Sequence, residues 1–328
     1  MARVRIFRSA LAVVLLAAAG CLAQAQTAAS YPSRAITMIV PFPPGGPTDA
    51  YARMVAAKMQ ERWGQPVVVE NKPGGTGVLG NNLVIKSPPN GYTLLFTSNS
   101  AHLISVLLKN PKPYDSIKDF TPISIAIKYP MYLLINPNLP VKTVPEFIAY
   151  AKANSGKLNY SSVGQGSGGH LACELFNIAA GTNITHVPYK GASSAQASTI
   201  AGDTQMFCDS VGNSQPMVEA GKLRGLATFS DKRVSIAENV PTLGEVGFPG
   251  LDAFIWLGLL GPPGMPADIA SKLNSEMVRI MNLPDVRERA LKGGNEIVAN
   301  SQEQFIKDMT HEIEFWSRVI KLKNIKED

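Results

Sequence analysis

The sequence predicts an α/β protein built from two similar, doubly wound lobes. Three observations carry that prediction. Short apolar or β-branched runs alternate with helical stretches at the spacing of βαβ units. An apolar strand runs into a glycine-rich loop that opens a helix, once at 36–49 and again at 158–170. The 28 Gly and 24 Pro, in a 328-residue chain that is 45% hydrophobic and 17% charged, favour a turn-rich fold over a helical bundle and exclude disorder. This length accommodates two domains, each with its own core.

In order, the first half reads as strand 36–40, helix 50–62, strand 67–70, a turn at Lys72-Pro73-Gly74-Gly75, helix 78–85, strand 92–97, a helix from Ala101 and strand 121–127. The second half repeats the pattern: strand 159–163, helix 171–180, strand 184–189, a turn at Lys190-Gly191, helix 194–201, strand 204–208, helix 216–220 and strand 223–228. Strands 131–135 and 254–260 follow Tyr129-Pro130 and Pro249-Gly250, and read as inserts where the chain crosses between lobes, near 128–130 and 250–253. The first lobe is then discontinuous, 31–128 with 253–328, and the second is 129–252. A helix begins at Pro266, with Ile269, Leu273, Met277 and Ile280 at helical spacing. Ser301 and Gln304 form a capping-box pattern before the apolar stripe Phe305, Met309, Ile313, Trp316 and Ile320. That stripe is expected to pack on the first lobe rather than on a partner.

Arg3, Arg5 and Arg8 precede an uncharged run over 10–19, and Ala23-Gln24-Ala25 offers a small-x-small cleavage site, so 1–25 reads as a secretory signal peptide. The apolar run falls well short of the roughly 20 residues that span a bilayer. Ala18-Ala19-Gly20-Cys21 loosely matches a lipoprotein box with Ala where Leu is usual, so a lipid anchor at Cys21 is the less favoured reading. Without the three arginines, 28 basic residues face 25 acidic ones. A charge near +3 is too small and too scattered for a nucleic-acid footprint. Cys173 and Cys208 either pair in an oxidising compartment or stand as two buried small hydrophobes, which is the favoured reading. With four His and no CxxC or HExxH, no metal or other cofactor is expected.

Each glycine loop places unpaired N–H groups and the positive end of a helix dipole where an anion fits, so two facing loops make an anion clamp. Gly164, Gly166 and Gly169 satisfy G-x-G-x-x-G, yet the next strand ends at Tyr189-Lys190 without the acidic residue that would hold a ribose. Gln165 stands where a nucleophile elbow needs Gly, so Ser167, with Asp209 and His186 as possible partners, makes a weak hydrolase candidate. The two cysteines have no nearby cationic activator. Asp49 is open to three roles: general base, electrostatic cap of its helix, or acceptor for a ligand amine or hydroxyl. His102 and His170 each open a helix after a polar loop and are more often satisfied by backbone or water than by ligand. Lys190 either pairs with ligand or caps the turn at Gly191, while Arg53 is expected a turn inside its helix.

The segments Val40-Pro41-Phe42-Pro43-Pro44-Gly45-Gly46-Pro47-Thr48-Asp49-Ala50-Tyr51-Ala52-Arg53, Glu70-Asn71-Lys72-Pro73-Gly74-Gly75, Gly91-Tyr92-Thr93-Leu94-Leu95, His186-Val187-Pro188-Tyr189-Lys190-Gly191 and Val240-Pro241-Thr242 resemble the Bug family, the TctC-like receptors of tripartite tricarboxylate transporters. The resemblance runs from about Tyr31 to the C-terminus. It implies a type II periplasmic binding protein fold, two lobes joined by two crossover strands, closing on an organic acid without chemistry. A carboxylate would be held at 42–49, with Gly45, Gly46, Thr48 and Asp49, and at 164–170, with Gly166, Ser167, Gly168, Gly169 and His170. Phe42 would cover the ligand, and Thr97, Asn99, Tyr189, Lys190 and Asp209 would line the mouth. The implied partners are permease subunits or a sensor, for a monomer in the periplasm. The competing reading is a secreted enzyme that acts on a small carboxylate with the same scaffold. Cys173, Cys208 and the exit Ser98-Asn99-Ser100 depart from the family pattern.

Overall fold

A computed structural model describes residues 31–251, 253–323 and 325. The expected signal peptide and Cys21 lie outside the described residues. Strand β1 (Ile36–Val40) leads through the first glycine loop into α1 (Pro47–Trp63), followed by β2 (Val67–Asn71), α2 (Val78–Ile85) and β3 (Thr93–Ser98). A π-helical turn at Ser100–Ile104 stands where the sequence suggests a regular helix. Next come β4 (Thr121–Ile135), α3 (Val144–Ala153), β5 (Asn159–Ser162), α4 (Gly168–Ala180), β6 (Thr185–Pro188), α5 (Ala192–Ala201), β7 (Met206–Ser210), α6 (Val211–Glu219) and β8 (Arg224–Thr228). The chain returns through β9 (Phe254–Gly261) and ends with α7 (Ala267–Met281), α8 (Pro284–Lys292), β10 (Glu296–Ile297) and α9 (Gln302–Lys323).

The strand order β2-β1-β3-β9-β4-β7-β5-β6 hinges on β4. Up to Pro130, β4 runs antiparallel to β9, whose other edge pairs with β3. From Met131 onward its partners are β7 and β8. The segments 121–127 and 131–135, expected as two strands, are therefore one strand shared by both lobes. Pro130 sits at the change of partner, where its missing N–H strands no ladder donor. The second crossing lies beside it, with Met131 N donating to the Ala253 carbonyl at 3.3 Å just before β9.

Each lobe buries both faces of its sheet, as a doubly wound fold requires. Ile36, Met38 and Val40 of β1 pack with Val55, Met59, Leu273 and Met277 from α1 and α7, while Ile39 faces Leu95, Trp256, Phe305 and Met309 on the other side. In the second lobe Leu133 and Ile135 meet Phe147, Leu171 and Phe176, and Tyr132 and Leu134 meet Ala195 and Val211.

Two expectations are corrected by packing. The stripe on α9 does not stay on the first lobe: Phe305 and Met309 join its core, but Trp316 and Val319 enter the core of the second, where Lys323 pairs with Glu174 at 3.0 Å. At 22 residues, about 33 Å long, the helix outreaches one lobe. Cys173 and Cys208 are fully buried, yet they form a disulfide that ties α4 to β7. Smaller differences include α6, which starts directly after β7 with Pro216 inside it, and α3, α8 and β10, which the sequence reading does not contain.

Candidate ligand cleft

The first loop is built around Asp49. Pro47 opens α1 behind Gly46, an extended N-cap with no side-chain cap, so the first-turn N–H groups of Thr48 and Asp49 have no intrahelical carbonyl. Gly45 takes φ +91°, a conformation that favours glycine, and a Cβ at Gly45 or Gly46 would meet no atom within 4 Å. The loop surface therefore faces open space. Asp49 itself turns inward: Oδ2 accepts from Gly45 N and Arg53 Nε, both at 3.0 Å, and Oδ1 accepts from Asn71 Nδ2 at 2.9 Å. Asn71 also donates to the Phe42 carbonyl at 3.0 Å and accepts from Arg53 at 2.9 Å. The Arg53 guanidinium, helped by Gly45 and Asn71 and opposed by burial, holds the Asp49 carboxyl down to about 2. Asp49 is thus a staple for the loop, and its oxygens are already engaged. Phe42 is half-buried against the core of the first lobe.

The second loop is stapled by His170. Its Nδ1 accepts from Gly166 N at 2.9 Å, while Ser167 Oγ caps α4 by accepting from His170 N at 3.3 Å. The ring stacks on His186 with centroids 3.9 Å apart, and His186 Nε2 lies 2.6 Å from Ser162 Oγ. Burial, with His186 adding to it, pushes the His170 pKa down to about 3. The ring is neutral, with its proton on Nε2. The Gly166 N–H is engaged, which leaves the first-turn amides of half-buried Gly168 and buried Gly169 as the loop's donors without an intrahelical carbonyl. A Cβ on Gly169 would lie 2.3 Å from the Cys208 carbonyl oxygen, so the start of α4 sits directly on β7.

The expected mouth does not assemble as predicted. Thr97 and Asn99 have no solvent exposure, and Asn99 Nδ2 donates to the Phe254 carbonyl at 3.0 Å and to Glu312 Oε2 at 3.3 Å. Thr97 shares with Leu95 the face of β3 that packs toward Trp256 and Phe305, and Asn99, in the helical turn that follows the strand, is turned toward β9 and α9 by its two bonds. Asp209 braces α6 through side chains, accepting from Asn213 Nδ2 at 2.5 Å and Ser214 Oγ at 2.8 Å, and burial raises its pKa. Tyr189 is half-buried and its hydroxyl lies 2.7 Å from Ser198 Oγ, whereas Lys190 is exposed. His102 belongs to the core: Nε2 lies 2.8 Å from the Ser116 carbonyl oxygen and its ring meets Phe120 edge-on. Ser167, His186 and Asp209 each serve a different neighbour and form no nucleophilic triad. No group of three or more His, Cys, Asp or Glu among the described residues is placed to hold a metal. Arg53 and Asn71, absent from the expected set, proved central to the first loop. The Asp49/Arg53 spacing of four on one helix was the signal for Arg53; Asn71, at the end of β2, is brought in by strand pairing.

Residues 51–325 match the family model described as the tripartite tricarboxylate transporter family receptor. The chain belongs to that family. Among solved structures it is similar to the periplasmic binding protein BugD, at 30% identity and TM-score 0.76 over 91% of this chain and all of BugD. It is also similar to Rpa4515 of R. palustris with adipate, at 32% identity and TM-score 0.80 over 90% of this chain and 99% of that one. A third likeness is MatC of Rhodopseudomonas palustris with bound malate, at 32% identity and TM-score 0.76 over 88% of this chain and all of MatC. The fold of this receptor is accordingly the two-lobed periplasmic binding protein fold that the sequence predicts. No helix among its described residues is long and apolar enough to cross a membrane.

Proposed function

We propose that this receptor captures a small organic carboxylate in the periplasm and passes it, as a monomer, to permease subunits of a tripartite tricarboxylate-type transporter. Its lobes are 31–128 with 253–328, and 129–252, and residues 1–25 direct export. The observation that carries the reading is the bare start of α1, where Gly46 lacks a side-chain cap and faces open space in front of unpaired first-turn amides. Adipate and malate in two related structures support a carboxylate as the occupant.

One carboxylate oxygen accepts from the α1 amides of Thr48 and Asp49, and the α4 amides of Gly168 and Gly169 close on the ligand from the other lobe. Helix dipoles favour the anion at both ends. The negative charge of Asp49 does not oppose it, because Arg53 pairs with both carboxylate oxygens at 3.0 Å. Phe42 flanks the ligand, and Tyr189 and Lys190 stand at the rim. No side chain performs chemistry on the acid.

A thermal-shift screen of the chain lacking residues 1–25, against mono-, di- and tricarboxylates including adipate and malate, tests this. The expected result is stabilisation that grows with the logarithm of ligand concentration, about 2.7 kcal/mol at 100 Kd, with the acid recovered unchanged. Stabilisation by none of the acids, or conversion of the bound acid, contradicts it. Conversion would favour the enzyme reading.

A further inference from the structure

The lobes also touch where α8 gives way to β10. After α8, Gly293 and Gly294 turn the chain toward β10, which pairs with Ile127 and Lys128 on the first-lobe half of β4. Gly294 needs its glycine for φ +65°, and Asn295 N closes the turn on the Ala290 carbonyl at 2.9 Å. Across the gap stands α6, which follows β7 in the second lobe. A Cβ on Gly212, in the first turn of α6, would lie 2.4 Å from the Gly293 carbonyl oxygen and 3.3 Å from its carbon. A Cβ on Gly294 would lie 2.8 Å from Ile236 and 3.1 Å from Val234, also of the second lobe. The two lobes thus meet here backbone against backbone.

The same turn holds the ligand loop. Asn295 Nδ2 donates to the Tyr51 hydroxyl at 2.9 Å, and Tyr51 lies two residues beyond Asp49 on α1. Tyr51 is buried, with the Arg289 guanidinium 5.6 Å from its ring centroid. On the facing side, the first turn of α6 is fixed by Asp209 through Asn213 and Ser214. Rigid elements on both sides therefore converge on one pair of glycines.

We propose that the Gly212–Gly293 contact is the closure stop of the receptor, setting how near the lobes approach, and that Asn295 positions it by holding Tyr51 of the ligand-loop helix. This rests on the reading that the receptor closes on its ligand. It also accounts for Gly212. It is the second residue of α6, where glycine is a poorer helix former than alanine and needs a compensating reason. Because the atom facing it is a backbone oxygen, an added methyl group cannot be absorbed by a side-chain rotation, and the lobes must part.

Small-angle scattering on the full purified chain and its variants tests the stop without any ligand. For Gly212→Ala the expected result is a radius of gyration larger by about 0.5 Å, on about 20 Å for a compact chain of this size, with a melting temperature no lower than the unsubstituted protein's. Asn295→Ala, which removes the tie and adds no clash, is expected to shift the radius in the same direction by less. Adipate and malate serve as binding probes, and whichever binds should do so about tenfold more weakly to Gly212→Ala. Unchanged scattering for both variants overturns the stop, as does a lowered melting temperature at constant radius. Failure of every carboxylate to bind would count against the proposed function, while the scattering result still decides the stop.

Discussion

Arg53 grips Asp49 through two nitrogens, with Nε 3.0 Å from Oδ2 and a terminal nitrogen 3.0 Å from Oδ1. This pairing decides what the buried carboxylate at the first loop is for. A carboxylate already holding Gly45, Arg53 and Asn71 shapes the loop rather than reads the ligand.

Asp49→Asn should therefore weaken adipate and malate equally, by about tenfold, instead of selecting against ligands with a hydroxyl or amine. Loss of the charged hydrogen bonds should also cost about 1–3 kcal/mol of stability. Calorimetric titration of both acids checks the first point. The sign with pH follows from a carboxyl held at about 2 against an ordinary 3.8. The stabilisation is complete above the ordinary value and disappears as pH falls through about 2.

Glu312 shows the opposite behaviour. On α9 it is fully buried, and its Oε2 accepts from Trp256 Nε1 at 3.1 Å and from Asn99 at 3.3 Å, while Oε1 and Asn99 Oδ1 have no partner. Burial pushes its pKa to about 8 despite those donors and Lys128, with Asp308 adding to the rise. A proton on Oε1 would remove the charge from a carboxylate that burial disfavours. The folded state therefore keeps a proton that the unfolded chain releases above 4.5, and stability falls as pH rises from about 4.5 to 8. Glu312→Gln should flatten that fall and raise the melting temperature at pH 8, by a gain on the order of a few kcal/mol. Melting curves between pH 5 and 8, which span that window, check it.

The Cys173–Cys208 disulfide closes a 35-residue separation behind the second glycine loop. Reduction, or a Cys173→Ala/Cys208→Ala double substitution, should cost roughly 4 kcal/mol. Denaturant titration with and without a thiol reductant measures that loss, and an unchanged midpoint would contradict a structural role.

How far the sequence revealed these features depended on range. Helix α1 was legible from its glycine loop, although it starts at Pro47, three residues before the expected 50, because Pro47 fits the first helical position; the half-formed capping box of α9 was legible from Ser301, whose Oγ accepts from Gln304 N at 3.2 Å while the Gln304 side chain goes to Asp308. Helix α3 carries its own start signal in Thr143, whose Oγ1 accepts from Glu146 N, while the Glu146 side chain reaches back to Lys142 N rather than to the N-cap N–H of a full box. Pro130 split β4 in the reading because a proline inside a strand normally argues against one, and only the change of partner excuses it. The directions of Thr97, Asn99 and Asp209 were not legible. The partners of Asn99 at Phe254 and Glu312, and of Asp209 at the start of α6, are brought to them by tertiary packing, which also buries Thr97 with its hydroxyl unpaired.

Gly46 offers a cleaner probe of the first loop than Asp49. Its φ of −80° suits any residue, and a side chain there would project into open space. Gly46→Val should fold with an unchanged melting temperature and lose carboxylate affinity about a hundredfold or more, since the branched side chain would cover the α1 amides. Thermal melts and titration calorimetry on the same sample separate the two effects.

The most direct measurement is an amide NMR titration of the 15N-labelled protein with the carboxylate that gives the largest thermal shift. The account predicts that the Thr48, Asp49, Gly168 and Gly169 amide signals move together along one saturation curve, as donors to a single anion. Movement confined to one loop, or to amides outside both, would contradict a clamp formed by the two glycine loops.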